Sequence, residues 1–480
     1  MEKSELLENS QQRISDILKT KLVKAIAEIS KKNQIRAFLI GGSVRDLLLN
    51  RSCKDLDFVV EGSGIDFARE VANMLGAKKV TYFKNFGTAM FKFNDMEVEF
   101  VGARKESYRR ESRKPIVEDG TIKDDQERRD FTINTLALEL SEQHFGDFVD
   151  PFDGLQHLKE KLLKTPLNPD ITFSDDPLRM MRAIRFSSQL GFTIDPDSFE
   201  AIKRNADRIK IVSEERITTE LNKIILSTTP SVGFNLLLQA GLLQHIFPEM
   251  VLLQGAETKK GRSHKDNFIH TLEVLDNVSK HTDSLWLRWA AILHDIAKPA
   301  TKRFDHKVGW TFHGHEDRGA RMVPEIFRRL KLPLDHKMKY VQKLVQLHLR
   351  PIALTKSVVT DSAIRRLLFD AGDDIEDLMK LCRADITSKN EAKVKKYLQN
   401  YEVVQQKLKD VEKKDHVRNW QPPITGEMIM EAFDIKPCKF VGDIKVALKD
   451  AILDGEIPND LESATNFMHQ LGEKLGLKKA

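Results

Sequence analysis

Leu39-Ile40-Gly41-Gly42-Ser43-Val44-Arg45-Asp46, followed by Lys54-Asp55-Leu56-Asp57-Phe58-Val59-Val60, is the stretch that decides how this chain is read. An apolar strand runs into a Gly-Gly turn and then a helix, so Gly41 and Gly42 offer backbone N–H groups, and the helix its N-terminus, as a phosphate cradle. Asp55 and Asp57 stand two apart on a β-rich run, which puts both carboxylates on one face of the strand. Alone, a Gly-Gly turn says little, and a lone Asp-x-Asp is more often a solvated strand end. In this order and spacing they favour Mg²⁺-dependent phosphoryl or nucleotidyl transfer, in which metal neutralises a triphosphate and activates an attacking hydroxyl.

Working outward, short β-rich runs (Ala37–Ile40, Leu56–Val60, Thr88–Phe93, Glu97–Val101, Phe148–Val149) alternate with helical patterns as far as about Leu163. That reads as an α/β or α+β head. Glu97 and Glu99 alternate with Met96, Val98 and Phe100 as on a half-buried strand, and Glu99 is a candidate third carboxylate. Arg104 to Arg129 is densely charged, holds Pro115 and Gly120 and has no apolar period, so a long substrate-gripping loop is expected there. From Asp176 onward helical periodicity dominates, with Pro177 suited to a first turn and Asp176 to its cap. A polar linker is expected at Gly255–Arg262 and a hinge at Asp415–Ile424, around Trp420 and Pro422-Pro423.

At 480 residues the chain is too long for one core and should divide into roughly three or four domains. Its 41% hydrophobic and 31% charged content are those of a globular protein outside the membrane. A net charge of +5 leans toward an anionic partner without establishing a nucleic-acid surface. Met1–Thr20 is polar, with no apolar signal core, and no apolar run reaches membrane length. Cys53, Cys382 and Cys438 are too far apart in sequence to suggest a disulfide framework or a zinc knuckle. A cytoplasmic setting is expected.

Several further motifs, in order, resemble the bacterial-type (class II) tRNA nucleotidyltransferase and poly(A) polymerase family over about the first half of the chain. Gly41-Gly42-Ser43-Val44-Arg45-Asp46 with Asp55 and Asp57 is similar to its metal-and-phosphate motif. Glu127-Arg128-Arg129-Asp130-Phe131-Thr132-Ile133-Asn134 resembles its ribose-recognition motif, and Asp150-Pro151-Phe152-Asp153-Gly154 its head-to-neck hinge. Asp175-Asp176-Pro177-Leu178-Arg179-Met180-Met181-Arg182 is similar to the base-reading motif, and Glu215-Arg216-Ile217-Thr218-Thr219-Glu220-Leu221 to the neck signature. The chemistry of the side chains agrees. Arg128 and Arg129 are planar donors for phosphate or ribose oxygens, and Asp130 and Asn134 can bond sugar hydroxyls. Asp175, Arg179 and Arg182 fall at i, i+4 and i+7, one face of a helix. Cytosine and adenine both present an amino donor beside a ring-nitrogen acceptor, whereas guanine and uracil present the reverse. One Asp–Arg pair can therefore accept C and A and reject G and U. The family often has Glu at position 175, so Asp176 can share that work. An N-cap with an i,i+4 ion pair is the plainer reading of the same residues.

Downstream, His270, His294-Asp295, His313, His315, His348 and Asp385 resemble an HD-superfamily metal phosphohydrolase domain, with His270, His294, Asp295 and Asp385 as ligands. Imidazoles with carboxylates suit a divalent metal; whether that site hydrolyses or only holds RNA stays open. The resemblance implies an α+β protein: a polymerase-β-type nucleotidyltransferase head (1–163), an all-α neck (164–254), an HD-type helical body (255–414) and a helical tail (415–480). It implies CCA addition to the tRNA 3′ end from CTP and ATP, with Mg²⁺ at Asp55 and Asp57 of the head. A poly(A) polymerase or A-adding enzyme, or an HD phosphohydrolase with an RNA-binding head, are the alternatives. The Lys- and Arg-rich segments around Lys203, Arg204, Arg208, Lys210, Lys436 and Lys439 are expected to face tRNA phosphates.

Overall fold

A computed structural model describes residues 3–53, 55–84, 87–109, 112–259, 262–263, 266–354, 360–387, 390–415, 418 and 420–479; Lys54 of the opening motif lies outside them. The chain divides into two compact units, 1–248 and 249–480.

The first unit is built on a seven-stranded sheet. Its members are β1 (Ala37–Ile40), β2 (Asp55–Val60), β3 (Val80–Phe83), β4 (Thr88–Phe93), β5 (Met96–Gly102), β8 (Ala137–Glu139) and β9 (Phe148–Val149). Spatial order is β3-β4-β5-β2-β1-β8-β9, and only β2 and β5 run parallel. β1 is buried along its whole length because sheet and helices cover both of its faces. Phe58, Phe91 and Phe100 stack across the sheet at 5.0 and 6.0 Å, and Phe67 brings the helix Gly64–Leu75 onto Phe100. Ser63 caps that helix at one end, and Gly76, in the left-handed region, closes it at the other.

Three sequence expectations change here. Arg104–Arg129 is not a long loop. It contains the hairpin β6 (Arg104–Arg109) and β7 (Ser112–Asp119), then the helix Ile122–Glu127, which Thr121 caps with a capping box. A two-stranded ribbon whose strands pair only with each other needs no apolar period, so it left no hydrophobic signal. Gly255–Arg262 likewise enters a short hairpin, Thr258–Lys259 against Arg262–Ser263. Finally, Asp175, Arg179 and Arg182 do not share one helix. Asp175 ends the helix Pro169–Asp175, Asp176 is extended (φ −130°, ψ 96°), and a new helix runs Leu178–Leu190. Pro177 crowds the residue before it out of the helical region, so the break falls between the two aspartates.

Beyond the head, Leu178–Leu190 packs on Glu214–Ile225 and Pro230–Gln239 in a mainly helical part of the first unit; the expected all-α neck is interrupted by a short strand, Thr193–Ile194, which pairs in parallel with Leu162–Leu163. The second unit is a helical body around Asn267–Ser279, Leu285–Leu293, His315–Arg329, His336–Leu347 and Ile375–Asp385. Its tail helices Gly426–Phe433, Lys439–Asp454 and Leu461–Lys474 gather around Ile429, Phe433, Ile444, Leu448 and Met468. Of the expected hinge at Asp415–Ile424, positions 416, 417 and 419 lie outside the described residues. Among the described residues no helix is long and apolar enough to cross a membrane.

Candidate active site and metal centre

β1 ends at Ile40, and Gly41 turns the chain with φ +80° into the helix Gly42–Leu48. Its φ +80° and ψ −133° are a conformation that glycine alone adopts without strain, and the Arg129 guanidinium lies 2.6 Å from where a Cβ would stand. Ser43 then ties the turn to the carboxylate strand: its Oγ donates to the Asp55 carbonyl at 3.0 Å and accepts from the Asp57 N–H at 3.2 Å. The parallel register sets Asp57 directly beside Glu99. Asp55, Asp57 and Glu99 all line one cleft of about 850 Å³. Burial and the neighbouring Asp55 charge raise the Asp57 carboxyl above its usual range, against the pull of Arg129. Glu99 is raised by burial and by Asp57. Three oxygen-donor groups, two of them made more basic by burial and mutual repulsion, suit a hard divalent cation.

The opposite wall is rich in arginine. Arg128 and Arg129 both pair with the buried Asp125, whose carboxyl they hold below its usual range against the cost of burial. Asp130, also buried, accepts from Arg182 Nε at 2.6 Å and from Asn134 Nδ2 at 2.9 Å, and Asn134 Oδ1 accepts from Arg45 at 2.7 Å. Despite burial, Arg182 and Asn134 hold the Asp130 carboxyl far below its usual range. The Phe186 ring carries Arg45, Arg182 and Arg185 at 4.9, 5.3 and 4.1 Å. Arg185 is brought down to about 10 by burial and by its neighbours Arg182 and Arg45, although Glu220 pairs with it at 2.7 Å. This crowd of arginines on one ring, with Arg182 and Arg185 held by the buried acids Asp130 and Glu220 and Arg45 by the partly buried Asp46, is arranged to receive further negative charge.

Asp176 lines this cleft with Arg179 and Arg182, its carboxylate 3.6 Å from Arg216 of the neck. Asp175 does not line this cleft; with Arg128, Arg179, Lys105 and Ile171 it lines a smaller cavity of about 110 Å³, so Arg179 stands at the wall of both. Arg179 is 9% exposed and donates to the Arg128 and Thr172 carbonyls, which fix its guanidinium at the cleft wall. Of the neck residues, Arg216 and Glu220 line the cleft, whereas Glu215 is exposed and outside it. Asp150 of the hinge motif accepts the Gly154 and Leu155 N–H groups, a helix-cap role. Ser43 stood in the Gly-Gly motif without a role of its own, and Asp125, Arg185 and Phe186 lay outside the motifs. The spacing Arg182-x-x-Arg185, one turn apart, was the signal available for Arg185.

In the body, His270 Nε2 lies 2.9 Å from Asp385 and 3.5 Å from Asp295, and His294 Nε2 lies 3.2 Å from Asp295. His315 and His348 join this cluster; His313 is exposed and does not. His294 is fully buried, and its Nε2 has no aligned hydrogen-bond partner. Burial pulls this imidazole down, but the neighbouring Asp295 and Asp385 carboxylates push it up to about 10. Nitrogen and oxygen donors converging on an unsatisfied buried atom fit a divalent metal.

Comparison with known proteins agrees with this architecture. Three family profiles match in order: "Poly A polymerase head domain" over 37–164, "Probable RNA and SrmB- binding site of polymerase A" over 191–253, and "HD domain" over 267–390. The multifunctional CCA protein of Shewanella frigidimarina is 31% identical over 318 residues, 63% of this chain and 71% of that one.

This chain belongs to the tRNA nucleotidyltransferase and poly(A) polymerase family.

Within that family, the A-adding tRNA nucleotidyltransferase of Deinococcus radiodurans is 29% identical over 91% of this chain and 96% of its own. Against the A-adding enzymes of Aquifex aeolicus and Geobacter sulfurreducens, the chain spans 23% and 28% of their length. The fold matches the CCA-adding enzyme of Bacillus stearothermophilus solved with CTP, with a TM-score of 0.65 at 20% identity over 94% of this chain and 97% of that one.

Proposed function

We propose that the head and neck add C and A to the 3′ end of tRNA from CTP and ATP without a nucleic-acid template, in the cytoplasm. The observation that carries this reading is the single cleft that brings Asp55 and Asp57 together with Arg179, Asp176 and the Asp130–Asn134 pair. Mg²⁺ held by Asp55 and Asp57, with Glu99 beside them, would polarise the α-phosphate and lower the pKa of the RNA 3′-hydroxyl. Arg45, Arg128, Arg129 and Arg185 receive triphosphate charge, and Asp130 and Asn134 face the ribose. Asp176 accepts from the exocyclic amino group of C or A while Arg179 donates to the ring nitrogen, so the protein's own side chains stand in for a template base. No general base of unusual pKa is needed. Incorporation of labelled CTP and ATP into tRNA lacking CCA tests the reading.

An A-adding enzyme is the second reading, favoured by the Deinococcus relative that aligns along nearly the whole chain. Supplying CTP alone separates the two: an enzyme adding CCA extends tRNA lacking the whole triplet, and an A-adding enzyme does not. For the body we propose a divalent-metal site for phosphate esters at RNA ends, supported by the His270, His294, Asp295 and Asp385 cluster.

A further inference from the structure

We propose that the helical body binds a single-chain anionic amphiphile, a long aliphatic chain ending in a carboxylate, in a cavity that shares no lining residue with the histidine–aspartate cluster.

This cavity measures about 930 Å³, against about 850 Å³ for the cleft of the head, and lies wholly within the second unit. Its walls come from the C-terminal end of Asn267–Ser279, from Ile375–Asp385 and from one face of the long helix Glu391–Asp415. On that helix Leu398, Tyr401, Gln405, Leu408 and Glu412 recur at intervals of three and four, which makes them one stripe. The helix packs mainly on Asp361–Ala371 and only lightly on Ile375–Asp385, so the stripe looks onto open space rather than onto a partner. Val278, Ile375 and Met379 give the far wall the same apolar character. Folded interiors leave few voids larger than a water molecule, and an apolar recess of several hundred Å³ is the usual form of a small-molecule site.

The polar groups at the floor are already engaged. Asn277 Nδ2 donates to the Ala384 carbonyl at 3.2 Å, and the Tyr401 hydroxyl donates to the Met379 carbonyl at 2.7 Å. A nucleobase or sugar buried there would leave its polar edge unpaired, whereas an aliphatic chain asks for no partner. The rim has the opposite chemistry. Six cationic side chains, Lys280, Lys380, Arg383, Lys409, Lys413 and Arg418, line the cavity against two carboxylates, Glu376 and Glu412. Glu376 is taken by Arg418 at 2.7 Å, and Lys380 is paired with Asp377 at 2.8 Å. Arg383, Lys409 and Lys413 are exposed and have no ion pair among the described residues. An apolar recess under a surplus of positive charge matches a ligand with an aliphatic body and one anionic end, and a guanidinium such as that of Arg383 can hold a carboxylate by two hydrogen bonds.

The test titrates laurate, below its micelle concentration, into the purified full chain in an isothermal titration calorimeter. Saturable binding of one laurate per chain is expected, with a melting temperature that rises with ligand. Affinity should fall about three- to fourfold for each methylene removed through decanoate and octanoate. The neutral dodecanol should bind roughly tenfold more weakly than laurate. Arg383→Glu combined with Lys409→Glu, both outside the cleft of the head, should weaken laurate by roughly tenfold while nucleotide addition persists. Leu398→Trp, which fills the recess, should abolish binding. Should that variant fail to melt cooperatively, the chain-length series and the charge reversal still decide. No saturable heat, laurate and dodecanol binding alike, or a charge reversal without effect overturns the proposal. So does sedimentation of the chain with phosphatidylglycerol vesicles in the absence of saturable laurate binding, which would assign the basic rim to a membrane surface.

Discussion

Replacing Asp176 with alanine removes the carboxylate that faces the cleft beside Arg179, and the consequence can be worked from its surroundings. Folding should be little affected. Its partner Arg216 stands 3.6 Å away with a side chain 40% exposed, and such ion pairs contribute only about 0–1 kcal/mol. Asp176 also accepts from the Leu178 N–H at 3.3 Å at the start of the next helix, a cap whose loss costs on the order of 1 kcal/mol. Loss of a charge-assisted hydrogen bond to the nucleotide amino group costs roughly 1.5–3 kcal/mol, or about ten- to a hundred-fold. Single-nucleotide incorporation into tRNA lacking CCA, with each of CTP, ATP, UTP and GTP at subsaturating concentration, reads that loss directly. Asp176→Ala should lower CTP and ATP use by that factor while relative misincorporation of UTP or GTP rises. Asp175→Ala, whose side chain lines a different cavity, should keep the preference for C and A. Arg179→Ala should resemble Asp176→Ala. Selectivity that survives in Asp176→Ala but collapses in Asp175→Ala would refute the placement of the base-reading carboxylate.

Asp57→Ala should abolish nucleotide addition, and Glu99→Gln should slow it, with the fold kept in both; near-normal turnover in Asp57→Ala would remove the metal site, as read by primer extension. Asp130 titrates below its usual range in the folded protein, so its ionised form stabilises the fold above the unfolded carboxyl value of about 3.9, and this contribution is lost as pH falls below it. Asp130→Asn should therefore melt lower than the parent at pH 7, by roughly 3 kcal/mol, with the gap closing below pH 4 in a pH series of melts. tRNA affinity should fall steeply between low and moderate salt. On the neck Lys203, Arg204 and Lys210 already pair with Glu200, Asp170 and Asp207, so substitutions of these residues should change that slope less than loss of cleft arginines. His294→Ala should stop any metal-dependent release of phosphate from 2′,3′-cyclic or 3′-phosphate RNA ends, measured by phosphate assay.

That Asp55 and Asp57 share one face and one cleft was legible because the pattern is local: a Gly-Gly turn and an Asp-x-Asp strand need only contiguous residues and a period of two. Glu99 was half legible, since alternation put it on a strand face, but only the register with β2 brings it beside Asp57. For the proposed base-reading carboxylate the sequence offered both Asp175 and Asp176, and of the two Asp176 lines the cleft. Helical spacing pointed to Asp175, and the overriding signal, Pro177 ending the helix ahead of it, was present in the sequence. The hairpin β6–β7 was invisible because polar ribbon strands carry no period to read. Arg185 and Phe186 were hidden for another reason: their role depends on Arg45 crossing from the head onto the same ring. In the body, His-Gly-His at 313–315 offered two histidines, and burial alone chooses His315.

The most direct measurement takes the purified full chain with tRNA lacking CCA, supplies each nucleoside triphosphate alone and then CTP with ATP, and resolves the products on a sequencing gel. Two added residues are expected with CTP alone, three with CTP and ATP together, and none with UTP or GTP. A chain that extends only tRNA already ending in CC, and only with ATP, or that adds nothing, would contradict that expectation.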